Sequence, residues 1–234
     1  MRLCKEDVMD IEEKVKERYP GAVPVKGFFD GLDSEIEKTG FNPHQTLTGL
    51  CVCRDDNNRE IRRECLFRYK AGYFSLETLA GIPSLPGITA YKAMAHHIPE
   101  EGMAAVLVLP HIGISKNGVY GEVERIGQSR PSPDCGAIVG CIKSIINSEP
   151  AETSDNPEFC RLMDFLSNQN IPSNFSSAVL EATERVYSFA VSESDRILSI
   201  VKKEYHSPVL RVTGIIINTA KQDYIQLRDV KIIK

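Results

Sequence analysis

Apolar residues recur along this chain in two periods, and each period predicts a kind of element. In residues 5–19, Val8, Ile11, Val15 and Tyr19 stand three or four apart among Glu, Lys and Arg, which predicts an amphipathic helix stopped at Pro20-Gly21. Two runs, Thr46-Leu-Thr-Gly-Leu-Cys-Val-Cys53 and Met103-Ala-Ala-Val-Leu-Val-Leu109, are uncharged and of strand length, as strands buried on both faces must be. Pro110 stops the second run, and His111 stands just beyond it. Residues 54–70 turn polar, with Ile61, Cys65, Leu66 and Tyr69 on one helical face. Between Gly72 and Pro99 the breakers Gly81, Pro83, Pro86 and Gly87 predict a long structured loop with a short helix at 89–96. Residues 113–129 suit a hairpin excursion. After Pro131-Ser-Pro, Asp134 is a cap candidate for a buried helix whose first turn carries Cys135. A linker with a short helix is expected at 150–172. A long amphipathic stretch follows at 175–205, with a break allowed near Ser192-Glu-Ser194, and strands at 209–219 and 224–233 complete the pattern.

Strand followed by helix predicts an α/β fold, a central and mainly parallel sheet flanked by helices. One main domain over residues 41–234 is expected, preceded by an N-terminal helical arm over residues 1–40. A chain of 234 residues with 42% hydrophobic and 26% charged residues can bury a sizeable core. Its net charge of −4 is built from interspersed signs without a basic stripe, so nucleic acid is not an expected partner. No apolar run approaches the ~20 residues that span a bilayer, and no membrane insertion is expected. The start, Met1-Arg-Leu-Cys-Lys-Glu-Asp, lacks the apolar core of a signal peptide, and the cytoplasm or an organelle stroma is the expected compartment. Seven cysteines in that setting point to reduced thiols, either small core residues or metal ligands.

Chemistry concentrates on three of these positions. Ligand sites of open α/β sheets gather outside the carboxyl ends of the strands, where Cys53 and His111 fall, and Cys135 lies at a helix start that favours a thiolate. Zinc accepts thiolate and imidazole, and three protein ligands leave a fourth position for water. The spacings are long, however, and no local C-x-x-C or H-x-x-H pair is present, so the pattern equally allows core cysteines and a loop histidine. Cys51, Cys65, Cys141 and Cys160 are read as packing residues. A redox role for Cys51-Val-Cys53 is the weaker reading, because a buried strand lacks what activates a thiol.

Several ordered motifs carry a resemblance. Cys53-Arg-Asp-Asp-Asn-Asn-Arg59, Leu79-Ala-Gly-Ile-Pro83, Ala95-His-His-Ile-Pro99, Pro110-His-Ile-Gly113, Gly127-Gln-Ser129, Cys135-Gly136 and Gly214-Ile-Ile-Ile-Asn-Thr219 before Asp223-Tyr224 resemble the limiting-carbon-dioxide-inducible protein B family. That resemblance implies a β-carbonic-anhydrase-like fold, a homodimer, zinc on Cys53, His111 and Cys135, and a place in a carbon-concentrating mechanism. The implied reaction is reversible hydration of carbon dioxide to bicarbonate by zinc-bound hydroxide. The alternative is an inactive zinc-containing scaffold, or a protein that partners others in inorganic-carbon handling. Asp55 and Arg59 resemble the family's Asp–Arg pair: Asp55 would orient the hydroxide and Arg59 would keep Asp55 ionised. His96 or His97 could relay protons but is expected to be structural, and Gln128 and Ser129 are expected either to hydrogen-bond near the site or to stabilise a turn. Ile82, Ser84, Leu85, Ile88 and Tyr91 stand where smaller or aromatic residues are expected, which bears on the shape of the pocket.

Overall fold

A computed structural model describes residues 11–148 and 155–233. Within the predicted first helix, α1 covers Ile11–Arg18 with Val15 buried; residues 1–10 of that expectation lie outside the described residues. Next come β1 (Val23–Pro24) and α2 (Val25–Lys38), whose Val25, Phe28, Phe29, Leu32 and Ile36 form one apolar face. The segment expected as an arm is thereby joined to the sheet, for β1 pairs with the last strand and the α2 face enters the core.

The first uncharged run is β2 (Thr46–Val52), buried at every position. The polar stretch after it opens with a short 3-10 turn and becomes α3 (Arg59–Arg68). The predicted loop contains β3 (Tyr73–Ser75), a second 3-10 turn and α4 (Ile88–Ala95). The second uncharged run is β4 (Met103–Leu109), again buried throughout. Pro110 does not end pairing, because its carbonyl accepts the Ile216 N–H at 2.9 Å and β5 (His111–Ile114) continues alongside another strand. The hairpin excursion is β6 (Glu122–Val123) with β7 (Ser132–Pro133). Helices α5 (Gly136–Asn147), α6 (Pro157–Ser167) and α7 (Phe175–Val201) precede β8 (Val209–Thr219) and β9 (Tyr224–Ile233). The break allowed at 192–194 is absent: α7 runs through it, with Ser194 buried and its hydroxyl bonded to the Val191 carbonyl at 2.7 Å.

The sheet runs β1-β9-β8-β4-β2-β3, with β5 on the upper half of β8. Pairings among β2, β3, β4, β5 and β8 are parallel; β9 runs against them, and β1, antiparallel to β9, runs with them. Alternation along β4 separates two layers of core. Met103, Ala105, Leu107 and Leu109 meet α2 and α3, while Ala104, Val106 and Val108 meet α4 and α7. A third cluster, built from α1, α5, α6 and the first half of α7, surrounds Cys53 and Cys135. Among the described residues, no helix is long and apolar enough to cross a membrane.

Candidate metal centre

Cys53 follows β2 and is held by more than its own strand. The ladder extends one residue further, through a parallel bridge to Thr78, with Thr78 N–H on the Val52 carbonyl and Arg54 N–H on the Thr78 carbonyl, both at 3.2 Å. Ala80 and Gly81 take positive φ values of 56° and 70°, and Gly81 packs so tightly on the Val52 backbone that a Cβ would lie 3.2 Å from its carbonyl carbon. From the other side, Asn58 and Arg62 donate to the Cys53 carbonyl at 3.0 and 3.3 Å, and Arg62 is anchored by Glu77 at 2.6 Å.

His111 opens β5 beside Ile216, and Cys135 is the residue immediately before α5. The three side chains are buried, their ligand atoms lie within 4.8 Å of one another, and the two thiols are 4.0 Å apart. His111 Nε2 is buried without a hydrogen-bond partner, whereas Nδ1 faces Asn218 Oδ1 at 2.9 Å and Asp134 Oδ2 at 3.0 Å. An orphaned imidazole nitrogen beside two thiols would be costly without a cation, and its partnered Nδ1 is the arrangement that aims Nε2 at a metal. The donor set therefore fits a divalent ion such as zinc.

Electrostatics point the same way. Cys53 is pushed down to about 3, first by its hydrogen bond with Cys135 against the opposing effect of burial, with His111 and the Asp55 N–H adding to the fall. Cys135 is pushed up by the same bond and by burial, with the charge of Cys53 adding to the rise and His111 opposing it. Burial works to lower the His111 value, but Asp134, Cys135 and Cys53 outweigh it and the value rises. Cys51 shares none of this reactivity. It is buried, bonded to the Gly81 carbonyl and Tyr91 hydroxyl at 3.6 and 3.7 Å, and burial pushes it up to about 12, which removes the basis of the C-x-C redox reading.

The other predicted residues divide. Asp55 lies beside the cluster, and burial raises its carboxyl against the Asn57 N–H bond and the nearby His111. Its guanidinium partner is Arg125, at 3.0 and 3.1 Å, rather than Arg59, which is exposed on the wall of an outer cleft. The i, i+4 argument for Arg59 fails because Asp55 precedes the 3-10 turn at Asp56–Asn58, so the two residues share no helix. Arg125 is fixed in turn by Ser132 Oγ at 2.7 Å and by the Pro133 and Asp134 carbonyls. Asp134 caps nothing: Cys135 holds the cap position, and the Asp134 carboxylate instead takes the Asn57 amide at 2.5 Å and turns toward His111. Gly113 makes this possible, since a Cβ there would sit 2.6 Å from Asp134 Cβ.

His96 and His97 are exposed after α4, in the segment that leads into the start of β4 where Thr46 pairs with Met103, and the His97 ring packs at a tilt against Phe74. They are remote from the carboxyl ends and relay nothing to the cluster. Gln128 closes a turn on the Arg125 carbonyl at 3.1 Å and, like Ser129, is exposed. Sequence reasoning missed Arg125, Asn57 and the roles of Asp134 and Asn218. Asn57 and Asn218 carried a signal as members of quoted motifs and Asp134 as the neighbour of Cys135, whereas Arg125 carried none.

A mostly parallel α/β sheet with two thiols and one imidazole converging at its carboxyl ends defines an α/β protein with a cluster that could hold a metal ion. Residues 22–234 match the family described as limiting CO2-inducible proteins B/C beta carbonic anhydrases, and the chain belongs to that family. The crystal structure of PtLCIB4, a homolog of the limiting CO2-inducible protein LCIB, has a TM-score of 0.82 at 24% identity over 94% of each chain. The structure of LCIB itself has a TM-score of 0.71 at 14% identity, over 95% of this chain and 94% of that one. These likenesses concern the fold. No curated protein sequence matches the chain.

Proposed function

We propose that this protein is a zinc-dependent carbonic anhydrase, hydrating carbon dioxide reversibly to bicarbonate, with Cys53, His111 and Cys135 as the metal ligands. The observation that carries the reading is the buried cluster itself, with a partnerless imidazole nitrogen facing two thiols within 4.8 Å. When bound, zinc supplies a water acidified to react as hydroxide near neutral pH. The chain supplies the rest. Asp55 is the group we assign to accept a hydrogen bond from the reacting water and so orient it; Arg125 and the Asn57 N–H hold that carboxylate in place. Ala80, Ile82, Ile138 and Val139 pack in the same apolar cluster as both thiols, a setting suited to an uncharged, linear substrate. Two thiolates neutralise the metal charge and make the bound water less acidic than three imidazoles would, so activity should rise with a midpoint above pH 7.

The test is stopped-flow hydration on metal-stripped protein to which zinc is returned in steps. The reading predicts activity in proportion to bound zinc up to one ion per chain. Stoichiometric zinc with no hydration across the pH range would replace it with a zinc-stabilised scaffold.

A further inference from the structure

We propose that Glu158 is a positioning residue for the metal centre, its carboxylate holding the left-handed turn at Ala80 and Gly81 against Cys53. The inference rests on the reading of the cluster as a metal site. Cys53 stands beyond β2, and the neighbouring segment keeps it there through the parallel bridge to Thr78 and the backbone bonds on either side of that bridge. Immediately after Thr78 the chain reverses, and the Gly81 N–H closes the turn on the Thr78 carbonyl at 3.4 Å.

Positive φ suits Gly81 but works against Ala80, whose Cβ crowds its own backbone at a φ of 56°. Among the described residues one other non-glycine, Ser148, has positive φ, and it is exposed at the end of α5. Ala80 is wholly buried, in the same cluster as both thiols. A strained backbone in that position persists only if its surroundings hold it. Glu158, in the first turn of α6, supplies the hold. One of its oxygens accepts the Leu79 N–H at 2.8 Å and the other the Arg54 guanidinium at 2.6 Å. Leu79 precedes Ala80 and Arg54 follows Cys53, so a single carboxylate ties the strained turn to the ligand.

Glu158 is itself fixed. Asn156 Oδ1 caps α6 by accepting the Glu158 and Phe159 N–H groups at 2.9 and 3.3 Å, and Leu162 and Leu166 anchor the helix in the cluster that contains Cys53. A carboxylate is favoured at a helix start. On the far side, the Thr78 hydroxyl donates to the Ile82 carbonyl at 3.1 Å. The two Glu158 bonds contribute unequally: Arg54 is exposed and its ion pair adds little, whereas the Leu79 N–H is part-buried and its loss of an acceptor is costly. Released from Glu158, the turn relaxes toward right-handed backbone, the Thr78 bridge loosens, and the Cys53 thiol leaves its place 4.0 Å from that of Cys135.

Zinc affinity is measured by chelator competition, at a temperature where circular dichroism shows every variant folded, for the wild type, Glu158→Ala, Glu158→Gln, Ala80→Gly and the double variant Ala80→Gly/Glu158→Ala. Glu158→Ala should weaken zinc roughly tenfold, the low end of what losing support around a ligand costs. Glu158→Gln keeps an acceptor for the Leu79 N–H and should recover most of the affinity. In the Ala80→Gly background the Glu158→Ala loss should shrink, because glycine takes the left-handed turn without being held. A residue that merely anchors α6 would give the same loss in both backgrounds. Unchanged affinity in Glu158→Ala, equal losses for Ala and Gln, or the same loss with and without Ala80→Gly overturns the proposal. A wild type that binds no zinc overturns the metal-site reading on which it rests, a result distinct from these.

Discussion

Single residues decide whether the cluster is a metal site, and each has a separable role. Replacing Cys53, His111 or Cys135 by Ala should abolish stoichiometric zinc in a metal assay, since each supplies one of three ligand atoms. Arg125→Ala should retain zinc and lower hydration roughly 10–100-fold, whereas Arg59→Ala, on the outer wall of the cleft, should change it little; kcat with measured metal content separates them. Gly113→Ala forces a Cβ to 2.6 Å from Asp134 and should weaken zinc in the same competition assay, with Asp134 displaced from His111. The convergence of Cys53, His111 and Cys135 was legible because strand ends and a helix start fell on soft donors, and motif order singled them out. Arg125 was not, because it sits in an irregular hairpin whose position depends on β7 and the residues before α5, contacts with no sequence period.

At the scale of elements, the strands were the most legible, since full burial on both faces leaves no polar residue to blur β2 or β4. β5 was less so: Pro110 reads as a stop, and only the sheet reveals that its carbonyl carries the ladder across to β8. Ser192-Glu-Ser194 allows a break in the pattern, yet the Ser194 hydroxyl bonds within the helix and α7 continues. Residues 11–40 give no sign in sequence of how firmly they attach. Phe29 is wholly buried between α2 and the sheet, so Phe29→Ala should cost about 3–5 kcal/mol in denaturant unfolding, far more than loss of a loosely docked helix would allow.

For the whole molecule, metal and fold should be linked, because the proposed ligands stand just after β2, at the start of β5 and just before α5, and come together only when folded. Free zinc a hundredfold above Kd should add about 2.7 kcal/mol to stability, read as a rise in Tm that a chelator reverses. Asp223 adds a pH dependence of defined sign. Burial raises its value from 3.8 to about 7, so its contribution to stability is complete below pH 3.8 and is lost as pH rises through about 7. Asp223→Asn should flatten that part of the stability profile in denaturant melts.

The central claim is that two thiols and one imidazole of this chain hold one zinc. X-ray absorption at the zinc edge on stoichiometric protein tests it most directly. The account predicts two sulfur ligands at about 2.3 Å and two nitrogen or oxygen ligands at about 2.0 Å, with one sulfur lost in Cys135→Ala if that variant is forced to bind. A first shell with no sulfur, or with three or four, would contradict it.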